Sequence, residues 1–309
     1  MIKKAIVTAA GRGTRHYPAT NTVQKELFPL VDRDGITKPV IQIILEEVFD
    51  AGIEEVALVI QPGMESRFKD HFQGLADARK AFEDKPWALR QSEMIEKIGN
   101  SITYIAQTEQ HGFGHAVYCA DNFVGDDPVL LLLGDHIYLS HVEQSCIQQV
   151  TTIHQKYQRT VLAVQQTHIN DLHLFGTVHG SVLKKKAGLY ELTTMIEKPT
   201  PEQARQHLVI PELPDDMFLT IFGIYCLTPT LFHVLGEHVR QNKRERGEIQ
   251  LTSALSEVLQ REGAIGYQVS GERLDMGTPL GYLHTLVAMA KNGIYRRELK
   301  GLTQSLKVI

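Results

Sequence analysis

Residues 5–15 read AIVTAAGRGTR. The first five, Ala5–Ala9, carry no charge and include the β-branched Ile6, Val7 and Thr8, so they read as a buried strand. Gly11-Arg12-Gly13-Thr14-Arg15 follows directly. Glycines there let the backbone turn tightly and aim its N–H groups at an anion. Arg15 adds a bidentate phosphate contact and Lys25 a point charge. Two familiar phosphate loops are excluded. A Walker loop needs Gly-Lys-Ser/Thr where Thr14-Arg15 follow Gly13, and a dinucleotide fingerprint needs a glycine where His16 stands. By itself the loop fits an ordinary glycine turn after a strand equally well.

Outward from that strand, apolar runs alternate with helical patterns. Val40–Ala51 reads as an amphipathic helix closed by Gly52. Val56–Gln61, Ile102–Gln107 and Val129–Leu133 read as further strands, with a polar helical stretch over roughly 65–97 and a helix over His115–Asn122 between them. Strand–helix–strand alternation predicts an α/β fold with a mostly parallel sheet and helices on both faces. The second half is less regular. Val161–Gln166, Thr177–Leu183, Tyr190–Glu197 and Phe218–Leu227 read as strands of a small antiparallel extension, and Lys184–Gly188 as a turn whose three lysines form a solvated hairpin tip. Thr252 is placed to cap a helix over ALSEVL, and from Leu280 onward the chain reads as terminal helix that frays near Gly301.

Composition narrows the function classes. With 309 residues and 43% hydrophobic content the chain can bury a sizeable core. A net charge of -4 offers no basic field for nucleic acid or an anionic membrane, so a polyphosphate ligand needs positive charge concentrated in one site. Three widely spaced cysteines give neither a disulfide framework nor a zinc spacing, which points to a reducing, cytoplasmic setting. No apolar run approaches the roughly 20 residues of a membrane span, and the opening MIKKAIVTAAGRG meets glycine and arginine too soon for a secretory leader. His111 and His115 are spaced like a metal pair, but the glycines at 112 and 114 argue against a helix carrying both, so they are not read as a zinc site.

The segment AAGRGTRHYPATNTVQKELFPL, residues 9–30, resembles the signature of the sugar nucleotidyltransferases: a glycine loop ending in Gly-Thr-Arg, then Pro-Ala-Thr, then Lys-Glu and a later proline. Its Ala9-Ala10-Gly11 start looks like the bacterial UTP–glucose-1-phosphate uridylyltransferases. Further matches follow in order: Asp70-His71-Phe72, Gln107 with Gly112–Ala116, Leu133-Gly134-Asp135, Glu197-Lys198-Pro199, Gly247–Thr252, and Asp275-Met276-Gly277 before Leu280-Gly281-Tyr282.

The resemblance implies a Rossmann-like fold of the nucleotide-diphospho-sugar transferase type. It implies one domain over 1–280, with a nucleotide half at about 1–140, a sugar-phosphate half at about 141–280 and a helical tail over 281–309. It implies attack by glucose 1-phosphate on the α-phosphorus of UTP, with Mg2+ as cofactor, no nucleic-acid or membrane partner, and a dimer or tetramer of this chain. Carried onto this sequence, Arg15 and Lys25 hold the triphosphate and Lys198 the sugar phosphate. Asp135 and Asp275 bind the metal. Gln107, with backbone of Ala10 and Gly11, reads the base, and Gly114 lets it approach. Gly13 and Thr14 complete the phosphate loop. Glu197 takes sugar hydroxyls, and Gly176 and Gly223 line the sugar pocket. Without the resemblance, either aspartate reads as a cap or turn residue and Glu197-Lys198 as a solvated strand end.

The chain departs from the family pattern at Asn21, where a lysine is usual, at His136 after Asp135, at Ile224 after Gly223 and at Ser253. These changes lie mostly on the sugar side. Other readings stay open: the same chemistry with another sugar 1-phosphate or dTTP, and a non-catalytic sugar-nucleotide-binding paralogue. An NAD-dependent oxidoreductase is disfavoured by His16.

Overall fold

The computed structural model describes residues 1–75, 77–183 and 188–305. Its strands are β1 (Lys4–Ala9), β2 (Pro29–Val31), β3 (Thr37–Pro39), β4 (Glu55–Ile60), β5 (Ile102–Ala106), β6 (Val129–Leu133), β7 (His136–Ser140), β8 (Val161–His168), β9 (Gly176–Val182), β10 (Leu189–Glu197), β11 (Met217–Leu227), β12 (Ala264–Gln268) and β13 (Gly271–Asp275). The helices are α1 (Val40–Asp50), α2 (Glu65–Phe72), α3 (Ala78–Ala81), α4 (Pro86–Gly99), α5 (Phe113–Tyr118), α6 (Asp121–Val124), α7 (Cys146–Tyr157), α8 (Pro201–His207), α9 (Thr230–Arg240), α10 (Leu251–Glu262), α11 (Pro279–Asn292) and α12 (Arg296–Ser305).

One nine-stranded sheet runs β5-β4-β1-β6-β11-β8-β12-β10-β9. Strands β5, β4, β1 and β6 pair in parallel, and the apolar runs of β4, β1 and β6 are those of strands buried on both faces, while β5 is a part-exposed edge. From β6 onward the sheet is mixed: β11 runs antiparallel to both β6 and β8, β12 is parallel to β8, and β10 and β9 return antiparallel. The expectation of a mostly parallel sheet therefore holds only for the first half, and the antiparallel part is as large as the parallel one. The reason is the long β11, which enters the middle of the sheet against the direction of β6.

Alternate residues of the central strands feed two cores. Val7, Leu58, Leu130 and Leu132 pack with Ile41, Ile44 and Leu45 of α1 and with Ile147 and Val150 of α7. Ile6, Val59 and Leu131 face the opposite side, against Ala116 and Val117 of α5, Leu231 and Leu235 of α9, and Leu255 and Val258 of α10. Helices thus cover both faces, with the two-residue side-chain period deciding which core each residue joins.

Three local expectations change. The helix expected over His115–Asn122 is broken in two, α5 starting earlier at Phe113 and α6 ending at Gly125, which takes a positive φ. Thr252 lies inside α10, whose N-cap is Gln250. Gly301 lies within α12. The lysine turn at 184–187 falls outside the described residues.

Candidate active site

The glycine loop opens at the carboxyl end of β1, where open α/β sheets present ligands. Gly13 sits at φ 63 and initiates a short 3-10 turn over Thr14–His16. A Cβ there would stand 2.9 Å from Thr20 Cγ2, and the Thr20 hydroxyl donates to Gly13 O at 3.1 Å. Only glycine suits both the backbone angle and that contact.

Two cavities adjoin beside this loop. The first, of about 360 Å3, is lined by Ala10, Gly11, Lys25, Gln107, Gly112 and Asp135 among others. The second, of about 410 Å3, is lined by Arg15, His136, Gly176, Glu197, Lys198, Gly223 and Arg273 among others. Phe113, Leu133 and Glu248 border both.

Asp135 borders the first cavity; Asp275 borders neither but stands beside it, although the two lie far apart in sequence. Gly134 follows β6 and donates its N–H to Thr8 O at 2.9 Å, a contact so close that a Cβ would stand 2.8 Å from that oxygen, and β7 begins two residues on. β13 pairs antiparallel with β7 and places Asp275 opposite His136, while Met276 N–H donates to Asp135 O at 2.9 Å. A Cβ on Gly277 would stand 2.9 Å from Asp275 Oδ1, 3.3 Å from Asp135 Oδ2 and 2.8 Å from Arg15 Nη2. Both carboxylates and the Arg15 guanidinium therefore converge on one point.

The electrostatics keep both aspartates ionised. Burial opposes the Asp135 charge, but Lys25, in ion-pair contact, and His136 hold its carboxyl below the usual range. Burial likewise opposes Asp275. His136 Nε2 at 3.5 Å and the Gly277 N–H at 2.7 Å nonetheless hold it well below that range. Burial alone would lower Lys25, yet Asp135 and Glu26 hold its ammonium above the ordinary value. Burial pushes Glu26 up to about 8. Two ionised carboxylates offering hard oxygens at one point fit a magnesium ion, which often takes only one or two protein carboxylates with phosphate and water.

Gln107 is buried at the end of β5. Its Nε2 donates to Gly112 O at 3.1 Å and to His115 Nδ1 at 3.2 Å. A carbonyl can only accept, so these bonds fix the amide with Oε1 free for the cavity. Gly114 borders neither cavity. It packs on the chain at 249–251, where a Cβ would stand 2.8 Å from Ile249 O, and Gly112 takes the cavity-facing place. Gly13 and Thr14 also stand behind the lining residues, shaping the loop.

In the second cavity, Glu197 ends β10 and accepts from the Thr252 hydroxyl at 2.6 Å. Lys198 follows at φ 47, its Nζ 3.8 Å from Glu197 Oε1 and its N–H bonded to Phe175 O. Gly223 has φ 103 where β11 slips register between Ile221 and Tyr225, and its carbonyl accepts from Tyr138 Oη at 2.8 Å. A Cβ on Gly223 would meet that hydroxyl at 2.9 Å and His136 Nδ1 at 3.0 Å.

Sequence reading missed Thr252 and Arg273. Thr252 was visible as a helix cap and as the end of the matched segment Gly247–Thr252, with no role in the sugar pocket. Arg273 lies in the polar run GERLD, which carries no periodic signal. Its guanidinium stands 4.2 Å over the Phe175 ring, Nη1 donates to Ile221 O at 2.9 Å, and Nε has no protein partner. Of the departures, His136 bridges the two aspartates, Ile224 is buried in the sheet against Leu132, and Ser253 donates to Glu245 outside both cavities.

Residues 4–292 match the nucleotidyl transferase family. A UTP–glucose-1-phosphate uridylyltransferase of Staphylococcus epidermidis is 33% identical, over 99% of this chain and 99% of that protein. Among solved structures, an apo UDP-glucose pyrophosphorylase is 32% identical, covering 94% of this chain and 99% of its own, with a TM-score of 0.80. A UDP-glucose pyrophosphorylase complexed with UDP-glucose is also 32% identical over the same shares, with a TM-score of 0.75. With the glycine loop, the paired aspartates and the two adjoining cavities of one fold, the chain belongs to the nucleotidyl transferase family.

Proposed function

We propose that this chain transfers the uridylyl group of UTP to glucose 1-phosphate, forming UDP-glucose and pyrophosphate. The observation that carries the reading is that Asp135 from the first cavity, Arg15 from the second and Asp275 beside them converge around Gly277, in a chain alike over nearly its whole length to uridylyltransferases named for this reaction. A sugar phosphate held in the second cavity attacks the α-phosphorus of a nucleotide held in the first. A new P–O bond forms, the α–β phosphoanhydride breaks, and pyrophosphate carries away the electron pair. The nucleophile is already an anion, so the protein's task is to align two polyanions and balance their charge.

In this reading Gln107 presents Oε1 to the N3–H of uracil, with backbone of Ala10 and Gly11 beside it. Lys25 faces the triphosphate from the first cavity, Arg15 reaches it from the second, and Lys198 meets the sugar phosphate. Glu197, oriented by Thr252, accepts from sugar hydroxyls in a pocket that Gly176 and Gly223 keep open. Asp135 and Asp275 would hold Mg2+, which would neutralise charge on the phosphate oxygens. The nucleotide half at about 1–140 and the sugar half at about 141–280 form one domain, with 281–309 as a helical tail. The reading also takes in a cytoplasmic setting, supported by three free cysteines, and a dimer or tetramer of this chain. Among the described residues no helix is long and apolar enough to cross a membrane.

The test is pyrophosphate release from a panel of nucleoside triphosphates and sugar 1-phosphates, with magnesium and with EDTA. Release confined to UTP with glucose 1-phosphate and abolished by EDTA is expected. Release with a different pair moves the specificity, and none with any pair defeats the reading.

A further inference from the structure

Behind the wall of the first cavity, Glu109, His111 and His115 each bring a ligand atom within 4.8 Å of the others. The glycines that argued against a shared helix do not keep the histidines apart. Gly112, at φ 110, bends the chain into α5, so His115 sits in its first turn and His111 just before it, ring centroids 5.1 Å apart. Ile249 N–H donates to His111 O at 2.7 Å and Gly114 N–H to Ile249 O at 2.9 Å, which fixes both backbones. His111 Nδ1 already lies 3.4 Å from Glu109 Oε2. Two imidazoles and a carboxylate make a donor set suited to zinc, with a fourth position left for water. Ligands at about 2.1 Å around a tetrahedral ion lie about 3.4 Å apart. The Glu109–His111 pair is already at that distance, and the remaining contraction, from at most 4.8 Å, is shared by the exposed Glu109 side chain and the partly exposed His111 ring.

We propose that Glu109, His111 and His115 form a second metal site, for a zinc-class ion, whose occupancy weakens binding of the uridine nucleotide. The coupling runs through Gln107 and rests on the proposed uridylyl transfer. Gln107 Nε2 is held by two acceptors, Gly112 O and His115 Nδ1. An ion on Nδ1 displaces that bond outright. An ion on Nε2 leaves the proton of the neutral ring on Nδ1, which then cannot accept. Whichever nitrogen the ion takes, the amide that presents Oε1 to the base loses one of its two anchors. Linkage makes the effect reciprocal, so bound nucleotide weakens zinc equally.

The experiment titrates Zn2+ against a chelating dye, with magnesium in excess and no nucleotide, for the wild type, His111→Ala and Glu109→Gln. One zinc is expected in the wild type, weakened by more than about tenfold in His111→Ala, since losing a ligand costs at least what losing a ligand's outer partner does. UDP-glucose affinity is then measured with and without zinc. A loss of about fivefold, the worth of one hydrogen bond, is expected in the wild type and not in His111→Ala. The variant separates this effect from zinc held by the phosphates. No zinc in the wild type, or equal zinc in all three proteins, overturns the site. Zinc bound there with unchanged UDP-glucose affinity overturns the coupling. UDP-glucose that fails to bind the zinc-free protein in excess magnesium overturns the uridylyl reading, while the zinc titration is judged on its own result.

Discussion

At the scale of single residues, charge in this site is balanced internally. Lys25 and His136 are engaged with the Asp135 and Asp275 carboxylates, whereas Lys198 stands half exposed with only a loose contact to Glu197. Lys198 is thus the cation best placed to meet an incoming phosphate. Lys198→Ala is expected to raise the KM for glucose 1-phosphate by about 10- to 100-fold, the worth of one hydrogen bond to a charged group, and to leave UTP binding nearly unchanged. Steady-state kinetics with each substrate varied would decide it, and an equal effect on both substrates would defeat the assignment. Glu26 gives a second prediction. Its carboxyl is 1% exposed and Oε2 has no protein partner, and burial holds its folded pKa at about 8, above the ordinary carboxylate value. A raised carboxyl pKa means the folded state holds the proton more tightly than the unfolded chain. Stability from this group is therefore full below the unfolded value, about 4.3, and is lost as pH rises towards 8. Glu26→Gln should flatten the fall in denaturation midpoint across that window. A profile parallel to wild type would show that Glu26 does not titrate there.

At the scale of elements, a buried cation ties the β2–β3 hairpin to α1. Lys38, 3% exposed, places Nζ 2.7 Å from Asp32, 2.8 Å from Asp34 and 2.7 Å from Glu46. Removing one partner of a buried ion cluster leaves uncompensated charge at a cost of about 3–5 kcal/mol. Lys38→Met should lower unfolding free energy in urea by roughly that amount, whereas a change below about 1 kcal/mol, the worth of a surface pair, would mean the carboxylates find water. Strands were legible in the sequence where burial alone sets the pattern. β1, β4 and β6 were placed to within a residue or so because parallel strands covered on both faces read as unbroken apolar runs, and β5, a part-exposed edge strand, by its β-branched and aromatic residues. β7 and β13 were not read, although they carry Asp275 to Asp135. A separate two-stranded ribbon owes its existence to the partner strand, and GERLD has no period of its own. The candidate site was legible as motifs. Its assembly was not, because Gly134, Gly277 and the β7–β13 register act through space rather than along the chain.

At the scale of the whole molecule, α11 leaves a stripe uncovered. Leu280, Leu283 and Val287, at helical spacing on one face, are 77%, 60% and 43% exposed. Ile294 and Tyr295 continue it beyond the helix at 62% and 45%. The segment itself is firmly seated. Ile294 N–H donates to Arg33 O at 3.0 Å, Tyr282 Oη donates to Pro29 O at 2.9 Å, and His16 Nε2 bonds Met276 O at 2.7 Å just ahead of the helix. A fixed apolar stripe rather than a fraying end is what association requires, since little ordering entropy remains to be lost. Each such side chain gains about 1.5–3 kcal/mol on full burial. Two or more copies of this chain meeting through α11 would collect that several times over, and a closed two-fold pairing of the helix with itself is the simplest arrangement. Light scattering at micromolar concentration is expected to give the mass of a dimer or tetramer. Leu283→Glu, a charge on the stripe and away from both cavities, should move it to the monomer while far-ultraviolet dichroism stays unchanged. A monomeric wild type, or an assembly indifferent to that charge, would place the contact elsewhere or nowhere on this face.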